Sequence, residues 1–337
     1  MAPVHALDRY YLLITFLVTT GWQLSGFAIA FTMKFDKITD FTGGSNFFLL
    51  ALLTLLIGNT FYARNIVASV LVMVWAVRIA AFLLFRVLKM GRDVRFDDIR
   101  SHFFKFLGFW VGQIIWVWTV SMPVVILNSP AVSDRRIGGD NPRFGTGRDV
   151  AGIIIWTLGI VIEATADQQK YIYKSRRMIP KGEPANRGLW AWSRHPPYFG
   201  EMLCWWGVWM ICISPATNGI LPSSSRAALY GSVVSPLLTF VLLMFASGLP
   251  TVEKPAAKRF FLMSRGPNAD PKLADAWQKY KAYLEKTSIL IPIPPVIYRP
   301  LPRFIKKTIL LDFPFYQFDE DKDGVAALQE AQEGGQE

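Results

Sequence analysis

The chain has 337 residues, is 52% hydrophobic and 14% aromatic, carries 18% charged residues with a formal net charge of +11, and has a mean hydropathy of +0.29. Its charge lies below the roughly 25% of ordinary soluble domains, and its apolar residues fall in long runs, which excludes a soluble globular enzyme. The two cysteines, Cys204 and Cys212, sit on one apolar run. Their separation is about 12 Å at the helical rise, too far for a disulfide, and no zinc or other metal site is expected.

Apolar runs cover residues 10–33, 47–62, 66–88, 106–128, 150–166, 198–214 and 228–247. Each matches or approaches the roughly 20 residues that cross a bilayer as helix. They predict an all-α polytopic membrane protein of about seven transmembrane helices, with the lipid bilayer as its first partner. The opening run lacks a basic leader and is long enough to span, so it reads as a true crossing rather than a cleaved signal. Trp110, Trp190, Trp192, Trp205 and Trp206 fall near run ends, where an interfacial belt places them. Seven crossings put the loops 34–46, 89–105 and 167–197 on one side with the C-terminal region. Those three loops carry 14 Lys and Arg, against 7 on the opposite side. The positive-inside rule then makes that side cytosolic and the N-terminus lumenal or external. This corresponds to the endoplasmic reticulum in a eukaryote and to the inner membrane in a bacterium. The pI of 9.6 follows from this topology, and no nucleic acid is implied.

Along the third run, Arg78 stands about 16 Å inside the cytosolic edge at 1.5 Å per residue. A cation at that depth is costly unless it is paired or faces a water-filled cavity. Arg78, with Trp75 three residues earlier, is therefore assigned to the lining of a substrate cavity. The next loop, LKMGRDVRFDDIR, interleaves Arg92, Arg95 and Arg100 with Asp93, Asp97 and Asp98. Attraction to acidic headgroups explains a basic loop but not the acids. A folded loop with internal ion pairs, leaving Arg92 and Arg95 for a phosphate, explains both.

The fifth run continues as GIVIEATADQQKYIYKSRR and places Glu163, Asp167, Lys170 and Lys174 at steps of four, three and four. Those steps make one helical stripe, acidic at the membrane edge and basic beyond it. A nucleotide would use the acids for ribose or amide groups and the lysines for phosphates. Salt bridging along a protruding helix is the structural alternative. Residues 188–207, GLWAWSRHPPYFGEMLCWWG, follow. Pro196 and Pro197 suit a helix start, so the N–H groups behind them face the loop and favour anions. Arg194 and His195 stand at that rim, with Trp190 just before, and Tyr198 and Glu201 share one face of the helix.

After residue 250 the chain changes character, giving a transmembrane bundle with cytosolic cofactor-binding loops over 1–250 and a cytosolic or interfacial region over 251–318. Within the latter, DAWQKYKAYLEKT is amphipathic, and the proline-studded ILIPIPPVIYRPLPRF suits the membrane surface rather than a crossing. Residues 319–337 read as a disordered acidic tail. Asp319, Asp321, Asp323, Gly324 and Glu330 satisfy the calcium-loop pattern, but Pro314 and the nearby chain end leave little room for the flanking helices such a loop needs. A solvated acidic segment is the expectation.

Together these parts predict a membrane enzyme with a cofactor mouth in the cytosol and a lipidic substrate in the bundle; the residues themselves do not distinguish a nicotinamide from S-adenosylmethionine. The segment EATADQQKYIYK…GLWAWSRHPPYFGE…WWG, with LKMGRDVRFDDIR and SGLPTVEK…YKAYLEKTSILIP, resembles the steroid 5-alpha-reductase and sterol-reductase superfamily, and most closely its reductase-like branch. The resemblance spans about residues 45–316. It implies NADPH as cofactor and reduction of an activated carbon–carbon double bond in a hydrophobic substrate (steroid, sterol or enone lipid), with no obligate protein partner. On the matching positions, Asp167 and Lys174 would hold the nucleotide, and Arg194, His195 and Tyr198 would line the mouth. Glu201 would anchor the nicotinamide or polarise the substrate. Pro197 stands where the family pattern carries Asn, and Glu163 where steroid reductases carry an amide. An S-adenosylmethionine-dependent membrane methyltransferase with a similar RHP-x-Y-x-G helix start, and a non-catalytic lipid-binding member of the fold, are the competing readings.

Overall fold

Where apolar residues run without a break, backbone polar groups in lipid have to be satisfied within the segment, and helix is the open-chain solution. The computed structural model describes residues 7–34, 38–90 and 102–333. Apart from pieces of one or two turns, the helices are α1 (Leu12–Thr32), α2 (Thr39–Gly58), α3 (Ala63–Met90), α4 (Phe103–Asn128), α5 (Gly147–Ser175), α6 (Pro196–Cys212), α7 (Ser223–Gly231), α8 (Val234–Val241), α9 (Glu253–Arg265), α10 (Ala276–Lys286), α11 (Arg303–Thr308) and α12 (Val325–Glu333). No strand occurs among the described residues, and the nearest approach to one is an isolated bridge between Ser193 and Ser288.

Six helical segments are long and apolar enough to cross a membrane: α1, α2, α4, α5, most of α3, and the stretch Ser223–Arg265. The 198–214 run forms α6, a helix of 17 residues that ends at Cys212, at the short end of the range that crosses a bilayer, so these six segments and α6 together match the expectation of about seven. A separate five-residue turn, Ser214–Asn218, follows with Pro215 at its start. The last stretch, Ser223–Arg265, extends past the 228–247 run at both ends, starting at Ser223 and continuing into α9, with a π-helical piece at Leu242–Ala246. The fold class stands: the protein is an all-α polytopic membrane protein.

The chain divides into two compact units. The first is Met1–Thr157 with Cys204–Thr239, and the second is Leu158–Leu203 with Phe240–Glu337. This division differs from one at residue 250, because residues 188–195 are hydrogen-bonded to residues 283–293, as described below.

In the first unit α2 lies along α3 and α1 along α4. Trp75 is part of an aromatic cluster there, with ring centroids 5.3 Å from Phe47 and 4.9 Å from Trp205. Trp75, assigned from the sequence to a substrate cavity, is buried here in edge-to-face aromatic contacts. Arg64, which the sequence places among loop charges, is instead fully buried. It makes a two-pronged pair with Asp149, at 2.8 and 2.7 Å, and donates to the carbonyls of Pro142 and Arg143. A web of amides continues from it. Asn65 donates to Asn128 at 3.1 Å, and Asn128 donates to Thr54 and Ser69, so the polar groups buried there are met by one another.

In the second unit the amphipathic spacing of α9 and α10 becomes packing. Ala257, Phe260 and Phe261 meet Trp277, Tyr280 and Tyr283, with Phe260 stacked on Tyr280 at 4.4 Å. The acidic end is a correction. It is helical from Glu320 to Glu333, with Ala327 buried and Phe318 and Leu328 against the α9/α10 core. Composition alone misses this because the acids find remote cations: Asp323 pairs with Lys254 at 2.9 Å, Glu320 with Lys281 and Arg265, and Glu330 with Lys258. Asp319 caps the turn by accepting from the N–H groups of Asp321 and Lys322. The acids of the calcium-like pattern are thus engaged in pairs and caps, apart from Asp321.

Candidate functional site

The site lies in the second unit and is built around the loop that precedes α6. Gly188 has φ +59°, and a Cβ there would fall 2.6 Å from the Gln169 side chain, so only glycine lets the loop settle on α5. Gln169 accepts from the Leu189 N–H at 3.0 Å, and the Trp190 indole donates to the Ala166 carbonyl at 2.9 Å. On its other side the loop is tied to the chain after α10. Tyr283 Oη donates to the Trp190 carbonyl at 2.8 Å, Arg194 N–H to the Ser288 carbonyl at 2.8 Å, and Ser193 Oγ to the Leu290 carbonyl at 2.7 Å. Seven residues are thereby held between two remote segments, and α6 starts from a fixed point at Pro196. Below it α5 and α6 touch backbone to backbone. A Cβ on Gly200 would stand 2.6 Å from the Gly159 carbonyl and 2.8 Å from Glu163 Cβ, the close approach that small residues allow between membrane helices.

At the end of the loop three charged side chains interlock. Arg194 Nη1 lies 2.5 Å from Glu253 Oε2, and its Nη2 lies 2.8 Å from Asp312 Oδ1. His195 Nε2 lies 2.5 Å from Glu253 Oε1. Tyr298 Oη donates to the other Asp312 oxygen at 3.2 Å. Burial opposes the Arg194 charge, but Glu253 and Asp312 outweigh it and hold the guanidinium further above its usual range. Burial also pushes His195 below the ordinary imidazole value of 6.5, more than its hydrogen bond to Glu253 restores. His195 is thus neutral at neutral pH. Because Glu253 is the carboxylate partner of Arg194, Nε2 carries the proton and Nδ1 is left as an acceptor. The imidazole lies flat against Tyr198, with centroids 5.3 Å apart and planes within 6°.

Arg194, His195 and Glu253 form part of the wall of a cavity of 740 Å³, inside the roughly 300–1,000 Å³ range of small-molecule sites. Trp190, Phe260, Tyr280 and Tyr283 supply aromatic surface. Lys170, Lys174, Arg177, Lys181 and Arg259 supply cations, with Lys170 Nζ 4.5 Å over the Trp190 ring. Against these stand two lining acids, Glu183 and Glu253, the first reaching Lys279 at 3.4 Å and the second committed to Arg194 and His195. A cleft lined by an excess of one charge sign focuses its field and draws in ligands of the opposite sign, and planar aromatic walls suit a heterocycle. Such a donor set fits a phosphorylated dinucleotide.

Of the residues singled out in the sequence, Lys170, Lys174, Trp190, Arg194 and His195 share this cavity. Tyr198 joins them through its stack on His195. Glu163 is buried at the α5/α6 contact, Asp167 is half-buried one turn further along α5, and Glu201 is half-buried on α6; none of the three lines the cavity. Arg78, half-buried on α3, belongs with Trp75 to the first unit. Arg92 and Arg95 lie outside the described residues. Sequence reasoning missed Glu253, Asp312, Arg177, Lys181, Arg259, Tyr280 and Tyr283. Glu253 had one visible signal, an acid directly behind a long apolar run in SGLPTVEK. The tyrosines had the helical spacing of WQKYKAY, which reads equally well as packing.

Fold and cavity together define an all-α polytopic membrane protein with a basic, aromatic-walled cavity in its second unit. The chain belongs to the family described as "Protein of unknown function (DUF1295)", whose model matches residues 26–263. The match takes in Lys170, Arg194, His195 and Glu253 and stops before Tyr280, Tyr283 and Asp312. No curated protein and no solved structure matches the chain.

Proposed function

We propose that the protein is a membrane-embedded, NADPH-dependent reductase acting on a carbon–carbon double bond of a hydrophobic enone-type substrate, as the RHPPYFGE resemblance to the steroid and sterol reductases implies. The observation that carries the reading is the 740 Å³ cavity, with five cations and five aromatic side chains lining it beside the Arg194–Glu253–His195 cluster. A 2′-phosphate and a pyrophosphate match Lys170, Lys174, Arg177, Lys181 and Arg259, and an adenine matches Trp190 and Tyr280. S-adenosylmethionine, with a sulfonium cation and no phosphate, gains little from such a rim, so methyl transfer is the weaker reading. A non-catalytic lipid-binding member of the fold could use the rim for a phosphorylated headgroup, and the ligand titration below separates that reading from the reductase.

NADPH, when bound, supplies the reducing equivalents. The chain's own part is to bind, orient and polarise. The rim holds the phosphates, and Arg194, fixed between Glu253 and Asp312, keeps the loop before α6 in one geometry. Tyr198 donates a hydrogen bond to the enone oxygen, its ring held by the His195 stack. Glu201, one turn along α6 and outside the cavity wall, would act by supporting that donor. A preorganised donor in a water-poor site lowers a barrier by about 3–4 kcal/mol. The cavity mouth and the C-terminus are assigned to the cytosol on the positive-inside pattern.

The test is thermal stability of the purified protein titrated with NADPH, NADH and S-adenosylmethionine. Selective protection by NADPH is expected, about 2.7 kcal/mol at a hundredfold excess over Kd, and Lys174→Ala with Arg177→Ala should weaken it severalfold. Selective protection by S-adenosylmethionine, or by none of the three, would sink the reductase reading.

A further inference from the structure

The segment from Pro294 to Leu310 leaves its apolar side chains outward. Val296 is 85% exposed, Phe304 71%, Ile309 66% and Ile297 57%. The prolines at 292, 294, 295, 300 and 302 break any spanning helix and confine the backbone to a single turn, Pro295–Tyr298, and to α11. The arrangement is rigid: Ile293 N–H donates to the Trp192 carbonyl at 3.1 Å, Tyr298 is buried and bonded to Asp312, and Asp312 holds Arg194. Among the described residues Arg299, Arg303, Lys306 and Lys307 enter no ion pair. Lys306 donates only to the carbonyls of Glu285 and Arg299, and its Nζ lies 4.5 Å over the Tyr298 ring. Arg303, Lys306 and Lys307 also line a second cavity, of 380 Å³, whose charge is balanced by Glu253, Glu285, Asp312 and Glu320. Elsewhere in this unit Lys254, Lys258, Arg265, Lys279 and Lys281 have carboxylate partners.

Exposed apolar side chains interleaved with cations that form no ion pair, on a backbone whose prolines prevent a crossing, match one kind of surface. We infer that residues 294–310 dock on an anionic phospholipid leaflet. Val296, Ile297, Phe304 and Ile309 enter the acyl boundary, and Arg303 and Lys307 bind lipid phosphates. A protein partner would be expected to offer acids matched to the cations; a leaflet of anionic lipid offers both the charge and the apolar layer in the order the segment presents them.

The experiment uses the full chain in lipid nanodiscs, with Phe304→Cys labelled by an environment-sensitive fluorophore; the native Cys204 and Cys212 are buried. Quenching by nitroxide-bearing lipid is compared in purely zwitterionic discs and in discs containing an anionic phospholipid. Stronger quenching in the anionic discs is expected, falling in high salt and in Arg303→Gln/Lys307→Gln, each charge being worth about a fivefold change in surface partitioning. Both substituted side chains are polar and at least partly solvent-exposed, so the fold is expected to survive. Equal quenching in the two compositions, no quenching in either, or a signal that tracks protein concentration instead of lipid would overturn the inference.

Discussion

Each unit buries an arginine against carboxylate, and the two arginines are put to different use. In the first unit Arg64 and Asp149 are both fully inaccessible (0% side-chain exposure) and locked two-pronged, with amides and carbonyls closing the shell. In the second, Arg194 has one contact to each of two acids, Glu253 and Asp312, and lies in the walls of both the 740 Å³ and the 380 Å³ cavities. A guanidinium offers five donors in a plane. When all are spent on protein groups the pair is a structural pin. When the pair instead faces open volume, it is a wall that a ligand can feel. Burial alone does not separate the two cases; the accessible space beside the pair does.

The comparison can be broken at its strongest point first. Arg64→Met strands Asp149 in a buried site, and loss of one partner of a buried pair costs about 3–5 kcal/mol. The expected outcome is a large drop in thermal midpoint, with NADPH protection per folded molecule unchanged; lost protection at intact stability would mean that Arg64 is not merely a pin. Glu253→Gln should cost less, about 2–3 kcal/mol, because Asp312 still faces Arg194, yet it should remove most of the NADPH protection. Equal losses of stability and no effect on protection would make the two arginines equivalent.

Acid sharpens the contrast further. His195 titrates below its ordinary value in the folded chain, so the unfolded chain binds the extra proton in the window between the two values. Stability then rises with pH through that window. Its contribution is complete above about 6.5 and is lost as the pH falls from there through the folded value. A stability–pH curve that is flatter for His195→Gln than for the parent below that point is the expected result. The smallest effect belongs to the exposed Lys258–Glu330 pair, with side chains 36% and 65% accessible. Glu330→Gln should shift stability by no more than about 0.5 kcal/mol, and a larger shift would give the acidic end a bigger part in the fold than its packing indicates.

Much of the fold was legible in advance for a local reason. Helices in lipid are set by contiguous apolar length, so α1–α5 and the start of α6 at Pro196 follow from runs and prolines alone, and the 198–214 run lies within about two residues of α6 (Pro196–Cys212) at each end. Part of the site was legible in the same way: Lys170 and Lys174 face one cavity because they sit one turn apart on α5. Glu163, on the same stripe, is buried away from that cavity; the close approach of Gly200 decides its burial, and that contact is between helices.

By itself, then, the sequence determined what depends on near neighbours: the membrane class, the helix spans, the basic rim on α5, and the Arg194–His195–Pro196 corner. Only the tertiary structure decided which acids meet that corner. Glu253 is 59 positions from Arg194, and Asp312 is further still. It also decided that Trp75 packs, that the acidic end folds onto α9 and α10, and that the Pro294–Leu310 segment leaves its cations unmatched. Charge pairs form between whichever groups the packed helices bring within a few ångströms. Distance in space, and not spacing along the chain, governs their energy.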